Sequence, residues 1–310
     1  MNEERLSISN SGDGKLSKNE KRDAAREKSR LMREEQKKKD RRTRALLQGG
    51  IILGSLAIVA IIALVLVNSI RPAGPGPANM ASDGIQIKQG GLATTTPALA
   101  SDAAPVPNKR DSGSGVLTIQ LYVDYLCPFC GQFEKTNADY ITSLLDSGAT
   151  TLEIHPISIL DSRSQGTKYS TRAVNAAACV ANYSPDQFSA FHGLLFANQP
   201  AENSSGLSDD QLIGYATQAS VQQASKIGDC IRNQTFKAWV SASSDRALKG
   251  PIPDSSIEKV IGTPTVIVNG QKYEGAVDNL AAFQAFVLQA AGENFNQNST
   301  ATPTPTPSAG

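Results

Sequence analysis

The two cysteines of Cys127-Pro-Phe-Cys130 constrain the fold and the chemistry of this chain more than any other feature. The C-x-x-C spacing is typical of zinc sites and of redox-active sites. Residues 116–124 before it predict a buried strand, and residues 131–145 after it have the pattern of a helix. The first cysteine therefore lies at a helix N-terminus, where unpaired N–H groups and the helix dipole stabilise a thiolate.

The spacing favours redox chemistry over metal binding. Residues three apart on a helix lie about 5–6 Å apart at Cβ, which is close to disulfide geometry, and Pro128 suits the first helical turn. A structural zinc site usually needs four N or S ligands. The other two cysteines, Cys179 and Cys230, are not spaced as C-x-x-C, and the chain has only two histidines. We therefore predict no metal site.

An uncharged apolar run over residues 49–67 predicts a transmembrane helix, which we place at residues 46–70. A buried core helix is the weaker interpretation, because the run is apolar on every face. A cleaved signal peptide would have a shorter apolar region followed by a small-residue cleavage site. Residues 68–72 contain no such site, so an uncleaved signal anchor is favoured.

The charge distribution predicts how this segment crosses the membrane. Residues 1–44 contain 15 Lys/Arg and 9 Asp/Glu, whereas residues 72–310 contain 14 Lys/Arg and 20 Asp/Glu. Basic residues favour the cytoplasmic side, so we expect a cytoplasmic tail over residues 1–45 and a single-pass protein of the cell membrane. All four cysteines then lie in an extracytoplasmic domain, where disulfides persist.

The basic tail is interpreted as a solvated segment that sets this topology and contacts anionic lipid of the bilayer. A nucleic-acid partner is not expected, because acidic residues dilute the charge and no aromatic residues are interleaved with it.

Composition divides the extracytoplasmic part into three segments. Residues 71–112 are rich in Pro, Gly, Ala, Ser and Thr, which predicts a flexible linker, with one possible short strand at 84–88. Residues 113–292 are long enough for one domain. Residues 293–310 end in Thr-Pro repeats and are predicted to be a disordered tail.

The domain itself is predicted to be of the α/β class. Its order is strand, helix, strand, then a helical block over about 166–249, then two strands and a last helix. In the block, helix starts are indicated at Ser184-Pro185 and at Ser208. Asn269-Gly270 between the last two strands indicates a hairpin. The predicted strands and helices are 116–124, 128–146, 151–158, 264–269, 271–276 and 278–291.

This order, with C-x-x-C at the first strand–helix junction, resembles the thioredoxin fold, and the inserted helical block resembles that of the DsbA family. Two segments carry the resemblance, Tyr122–Glu134 around the cysteines and Gly262–Gly270 around a proline. The likeness covers about residues 84–292. We therefore expect a thioredoxin fold with an inserted helical domain, preceded by one transmembrane helix.

The resemblance also implies roles for single residues. Cys127 would be the exposed nucleophile and Cys130 the buried resolving thiol, with Pro128 and Phe129 tuning the redox potential. Pro264 would be cis and face the disulfide, with the Thr263 backbone offered to an extended substrate.

One position departs from the family pattern. Thioredoxin-like proteins often carry a buried acid six residues before the first cysteine, and that position is Leu121 here. Asp124 is the nearest acid. Its default interpretation is a strand-end or capping carboxylate, and the sequence assigns it no role in proton transfer.

The remaining candidate residues favour structural roles. Cys179 and Cys230 fall in the helical block, 51 positions apart, which favours a structural disulfide between two helices. A second redox relay and two free buried thiols are the alternatives. His155 and His192 are expected to be packed with a local hydrogen bond.

The leading functional hypothesis is a membrane-tethered thiol oxidase. It would use the Cys127–Cys130 disulfide and no other cofactor. Unfolded or reduced secreted proteins would be its substrates, and a membrane redox partner such as a quinone-linked thiol oxidase would reoxidise it. A reductase or isomerase with the same site is an alternative. A non-catalytic tethered binding or chaperone module with two structural disulfides is another.

Overall fold

A computed structural model describes residues 18–69, 74–108 and 115–299. The chain divides into two units, Met1–Pro72 and Ala73–Gly310. In the first unit the predicted apolar helix is present as part of a longer helix, α1 (Lys18–Ser69). By length and composition the stretch Ala25–Ile61 of this helix is a candidate membrane span.

The second unit contains a five-stranded mixed sheet and seven α-helices among the described residues. The strands are β1 (Ile85–Ile87), β2 (Leu117–Val123), β3 (Thr150–Pro156), β4 (Thr265–Val268) and β5 (Gln271–Lys272). The helices are α2 (Pro128–Asp146), α3 (Tyr169–Tyr183), α4 (Phe188–Ala197), α5 (Asp209–Gln218), α6 (Ala224–Arg232), α7 (Lys237–Lys249) and α8 (Leu280–Ser299).

The sheet has the order β1-β3-β2-β4-β5, with β2 at its centre. β2 pairs parallel with β3 through the α2 crossover, and β4 runs antiparallel to β2. In this register Tyr122 lies opposite both His155 and Thr265. The loop before β4 is thereby brought to the end of β2, where the cysteine motif begins.

Both faces of the sheet are covered, which explains why every residue of β2 except Gln120 is buried. On one face α2 and α8 pack through the edge-to-face rings of Phe133 and Phe283. A second cluster contains Tyr122 and Ile267 from the sheet, with side chains from α7 and the segment that follows it. Its other buried members are Ile157, Ala247, Ile252 and Val260.

The helical block lies where the sequence predicts it, between β3 and β4, and one disulfide links two of its helices. Cys179 in α3 and Cys230 in α6 are bonded with an S–S distance of 1.99 Å, so the predicted pairing is confirmed. The predicted start at Ser208 is also confirmed, since Ser208 and Gln211 form a capping box at α5. The start at Ser184 is displaced, because a 3₁₀ turn, Pro185–Gln187, precedes α4.

The prediction of a flexible linker over residues 71–112 is wrong for its described part. Residues 74–108, which we call the N-terminal strap, pack on the domain. Met80 is 2% exposed, Asp83 forms a bidentate ion pair with Arg246, and Asn79 Nδ2 donates to the carbonyl of Ala181 at 2.8 Å. The predicted short strand is present as β1, paired antiparallel with β3. Specific side-chain hydrogen bonds thus compensate for the low apolar content.

The last two elements differ from their predicted bounds. β5 is only two residues long, and the chain turns away from the sheet at Tyr273, whose hydroxyl donates to Ala276 O. α8 continues to Ser299, so residues 293–299 are helical and do not belong to a disordered tail. The rest of that tail, residues 300–310, lies outside the described residues.

Candidate active site

Cys127 is the N-cap residue of α2, and Pro128 occupies the first helical position. The carbonyl of Cys127 accepts the N–H of Gly131 at 3.2 Å, which closes the first turn. The first turn contains no acidic side chain. The positive end of the helix dipole is therefore left to the cysteine sulfur, and Pro128 costs no hydrogen bond there.

The two motifs predicted to meet do so at this sulfur. The Sγ atom of Cys127 lies 3.2 Å from the backbone oxygen of Thr263. The Thr263–Pro264 bond is cis, as the family resemblance implied, and Pro264 directly precedes β4. Thr265 Oγ1 donates to Gly262 O at 2.8 Å and shapes the loop.

The surroundings of Cys127 favour its thiolate. A hydrogen bond from the Cys130 thiol is the largest of several effects that lower the pKa of Cys127 from its ordinary value of 9.0 to about 6. The Thr263 side chain and the N–H groups of Cys130 and Phe129 add to this lowering, while burial opposes it. Such a thiol is largely ionised at neutral pH, and the thiolate is the nucleophile.

Cys130 is held as a neutral thiol. Its side chain is fully buried on the inner face of α2, and burial raises its pKa well above the ordinary value, with Cys127 adding in the same direction. Both cysteines carry free thiols in this structure. The pair therefore combines an ionised and a protonated sulfur three residues apart.

The expectation of an exposed Cys127 is not met, because the residue is only 4% exposed. Its sulfur is packed against the Thr263 carbonyl. The residue of the motif that does face solvent is Phe129, at 60% exposure. Ile261, two residues before Thr263, is 79% exposed. Apolar side chains thus stand on both segments that meet at the sulfur.

Asp124 is a buried structural carboxylate. Its oxygens accept hydrogen bonds from the N–H groups of Leu126, Ile159 and Leu160 at 2.8–3.0 Å, and from the hydroxyl of Ser170 at 2.7 Å. Burial raises its pKa, and these four bonds oppose the rise. The carboxylate ties the end of β2 to the loop after β3, which matches its interpretation as a capping residue.

Both histidines are packed in the interior, as predicted. His192 in α4 hydrogen-bonds Tyr125 Oη through Nδ1 at 3.1 Å and Glu134 through Nε2 at 3.0 Å. His155 stacks on Tyr122 with the ring centroids 4.3 Å apart. The hydrogen bond predicted for His155 is not found at Nε2, which lies 3.4 Å from Glu153 Oε1 and has no hydrogen-bond partner among the described residues. Within the described residues no group of three or more His, Cys, Asp and Glu is arranged to hold a metal ion.

Sequence reasoning missed Gln199, which follows α4 and contacts the cysteine segment. Its Nε2 donates to the backbone oxygens of Cys127 at 2.8 Å and Tyr125 at 3.2 Å. No motif marks this residue, since it is distant in the chain and lies in a loop. The only signal is Gly131, a glycine in the first turn of a helix, where a larger residue would meet the Gln199 amide.

A groove of about 700 Å³ runs beside the first turns of α2. Small residues on both helices contribute to its lining, and Phe196 is the aromatic residue among those that line it. The lining residues are Pro128, Gly131, Gln132, Glu134, Lys135 and Ala138 from α2, Gly193, Phe196 and Ala197 from α4, and Gln199.

Comparison with known proteins agrees with this site. The family model Thioredoxin_4, described as thioredoxin, matches residues 115–288, which include both cysteines and the Pro264 loop. The chain belongs to this thioredoxin family.

Solved structures of thiol–disulfide proteins share the fold. The reduced disulfide bond oxidoreductase DsbG of Mycobacterium tuberculosis is 30% identical, with a TM-score of 0.50 over 75% of this chain and 97% of that one. Oxidised DsbA of the same organism is 29% identical, with a TM-score of 0.50 over 71% of this chain and all of the other. By family and fold, the chain is a DsbA-like thiol–disulfide oxidoreductase.

A more distant structure and one curated relative extend the comparison. Oxidised BdbD of Bacillus subtilis shares the fold at 18% identity and a TM-score of 0.50, over 72% of this chain and all of the other. The serine/threonine-protein kinase PknE of M. tuberculosis is 30% identical over 119 residues, which is 37% of this chain. The match spans only 21% of the kinase's length.

Proposed function

We propose that this protein is a membrane-tethered thiol oxidase that forms disulfides in reduced, unfolded proteins outside the cytoplasm. The observation that carries the proposal is the unequal pair at the α2 N-terminus. Cys127 is the N-cap residue, with its sulfur 3.2 Å from the Thr263 backbone oxygen and its pKa lowered to about 6, whereas Cys130 is fully buried and its pKa is raised. Stabilising the thiolate stabilises the reduced enzyme, and a stabilised reduced form makes the disulfide a stronger oxidant. The lowered pKa of Cys127 therefore supports oxidation rather than reduction of substrates.

In the proposed cycle, a substrate thiolate attacks Cys127 of the oxidised pair, and Cys130 leaves as the reduced sulfur. A mixed disulfide joins the substrate to Cys127. A second substrate thiolate then attacks the substrate sulfur and releases Cys127 as a thiolate, whose low pKa makes it a good leaving group. The substrate loses two electrons and two protons, and the enzyme pair gains them. A membrane redox partner, such as a quinone-linked thiol oxidase, would return the pair to its disulfide.

The surface around the sulfur supports an unfolded polypeptide as the substrate. Phe129 and Ile261 are exposed apolar side chains on the two segments that meet at Cys127 and Thr263. An extended substrate chain would pair with the backbone of Thr263 in a strand-like manner, with Pro264 holding the loop. Such pairing is nearly independent of sequence. In this proposal Pro128 and Phe129 tune the redox potential, and Cys179–Cys230 is a structural disulfide.

The proposed location is inferred from the apolar part of α1 and from the basic residues in the N-terminal part of the same helix. A helix with a candidate span and a basic N-terminal flank supports an anchor in the cell membrane with the N-terminus in the cytoplasm. A reporter fused after Gly310 and active only outside the cytoplasm should give signal in cells. A reporter active only in the cytoplasm should stay silent, and activity there would contradict the proposed orientation.

The direction of the reaction is tested with the full-length protein in detergent. The oxidised protein is mixed with a reduced, unfolded protein containing two cysteines, and substrate disulfides and enzyme thiols are counted. One substrate disulfide should form for each enzyme disulfide lost. The single-cysteine variants are first treated with oxidised glutathione. Cys130→Ala should form a Cys127–glutathione disulfide, and a substrate thiolate should then attack Cys127, release reduced glutathione and leave a Cys127–substrate mixed disulfide that accumulates. Cys127→Ala should form no such mixed disulfide.

The reduction potential decides between the alternatives. The pair is equilibrated with glutathione buffers of known ratio, and an oxidase should have a potential well above that of a thioredoxin-type reductase, about −270 mV. A potential at or below that value would favour a reductase or isomerase. Failure to exchange with glutathione at all would favour a non-catalytic binding or chaperone module.

A further inference from the structure

The segment that ends in Cys127 is held from the helical block by one side chain. Gln199 follows the C-terminus of α4, and its Nε2 donates to the carbonyls of Cys127 and Tyr125 at 2.8 and 3.2 Å. These two carbonyls flank Leu126. One amide group therefore fixes the direction of the backbone on both sides of the residue that precedes the nucleophile.

The Cys127 carbonyl has two donors. It accepts the Gly131 N–H at 3.2 Å as the first hydrogen bond of α2, and the Gln199 amide at 2.8 Å on a second lone pair. The helix alone fixes only one of these directions. The second donor restricts rotation of the N-cap residue, and the direction of its Cα–Cβ bond with it.

The position of the Gln199 amide oxygen explains why residue 131 is a glycine. A Cβ atom on Gly131 would lie 2.2 Å from Gln199 Oε1, nearer than any real contact of this kind. That oxygen is the end of a flexible side chain, so a larger residue at 131 would push the amide away without unfolding the helix. A glycine in a helix costs roughly 0.8–1.0 kcal/mol relative to alanine. Gly131 therefore lowers the helix propensity of α2 but leaves room for the Gln199 side chain.

We propose that Gln199 is a positioning residue for the nucleophile, holding Cys127 so that its sulfur faces the α2 N–H groups and Thr263. The inference deepens the proposed function, since it names a determinant of the same site's reactivity. Because Gln199 belongs to the inserted helical block, this role means that the block helps to position the active-site cysteine. Without the amide, the N-cap residue turns more freely, and the donors that stabilise the thiolate are less well aligned.

The test measures alkylation of Cys127 by iodoacetamide across pH 4–9, using the reduced full-length protein in detergent. The variants are Gln199→Ala, Gln199→Met, which has a similar length but lacks the amide donor, and Gly131→Ala, which displaces the amide. Asn198→Ala is the matched control, because Asn198 directly precedes Gln199 and its amide donates to Leu194 O in α4 rather than to the cysteine segment. Circular dichroism verifies that each variant is folded.

In the three test variants the midpoint of the pH profile should rise by about one pH unit, which lowers the alkylation rate at pH 6 about fivefold. The control should keep the original midpoint. A purely structural role would lower the melting temperature and leave the midpoint unchanged, and that result would overturn the proposal. If one variant fails to fold, the other two decide, and Gly131→Ala leaves Gln199 itself intact.

Failure of the proposal and failure of the proposed function give different results. If the midpoint shifts as expected but the protein forms no substrate disulfides, the proposed oxidase function is wrong and the role of Gln199 stands. If the protein oxidises substrates but the midpoint is the same in all variants, the oxidase function stands and the proposed role of Gln199 is wrong.

Discussion

The Sγ atom of Cys127 lies 3.2 Å from the backbone oxygen of Thr263, a residue 136 positions further along the chain. The contact depends on the antiparallel pairing of β4 with β2, which brings the loop before β4 to the end of β2. A neutral thiol can donate to this carbonyl, whereas a thiolate cannot. The N–H groups and side chains around the sulfur must therefore outweigh the carbonyl when Cys127 ionises.

The first prediction concerns the reactivity of the two thiols. In the reduced protein, alkylation should modify Cys127 with a midpoint near pH 6, because its pKa is lowered to about 6. Cys130 should remain unmodified, because it has no exposed surface, whereas Cys127 is 4% exposed, and because its pKa is raised. Mass spectrometry of peptides after alkylation at several pH values measures both. A midpoint at the ordinary value of 9.0 would contradict the described surroundings.

The second prediction isolates the hydroxyl of Thr263. Thr263→Val keeps the shape and the backbone but removes a side chain that lowers the pKa of Cys127. The pKa should rise by less than about one unit, because the Cys130 thiol and the α2 N–H groups remain. The thiolate absorbance at 240 nm, followed against pH, reports this shift. A shift of several units would make Thr263 the main determinant instead.

The third prediction links ionisation of Cys127 to stability. A group whose pKa is lower in the folded protein stabilises the fold fully above its unfolded pKa, about 8.5. This contribution is lost as the pH falls through the folded value of about 6. The difference in unfolding free energy between the reduced protein and Cys127→Ser should therefore shrink between about pH 8.5 and 6. Urea titrations at several pH values measure it, and a constant difference would argue against a stabilised thiolate.

The fourth prediction concerns the disulfide between α3 and α6. Replacing both Cys179 and Cys230 by alanine should reduce the unfolding free energy by about 4 kcal/mol in the chain-entropy model. The Cys127 alkylation profile and the oxidation of dithiols should remain largely unchanged. Denaturant titration and the substrate assay measure the two effects. Loss of turnover in a protein that stays folded would instead favour a redox relay.

The fifth prediction tests the N-terminal strap. Backbone N–H groups of Asn79, Thr94 and Val106 donate to carbonyls at 2.7–2.9 Å, so their hydrogen exchange should be slow. Asn79→Ala removes side-chain bonds to Ala181 and Thr96, which should cost about 1–3 kcal/mol and speed exchange along the strap. Thr95→Ala, at an exposed position of the same segment, is the control. Fast hydrogen exchange throughout the strap of the unaltered protein would instead support the prediction of a flexible linker.

The sequence predicted the order of the elements because each has a local cause. Neighbouring residues contain the signals for three of these elements. They are the strand pattern that predicts β2, Pro128 at the first position of α2, and Ser208 at the start of α5. The strap could not be predicted in this way. Asn79 and Asp83 are polar residues in a Pro/Gly-rich segment, and only their partners in α3 and α7 show that they are anchors.

The site divides in the same manner. Cys127 and Cys130 were identifiable from their spacing, and the Thr263–Pro264 loop from a family resemblance. Gln199 was not, because a single amide acquires its meaning only when the chain brings it to the Cys127 carbonyl. The burial of Cys127 was also not predicted, since it depends on how the Thr263 loop closes over the sulfur.

The Cys179–Cys230 bond has a consequence for how the protein is made. Cys179 has no exposed surface, so an oxidant reaches its sulfur only before the helical block has closed around it. Under the proposed function, each newly made copy is therefore first a substrate of thiol oxidation and only later an enzyme that catalyses it. In a cell that has lost its whole stock, new copies would lack this stabilising bond until another oxidant formed it, whereas a cell that inherits mature copies can form it with them.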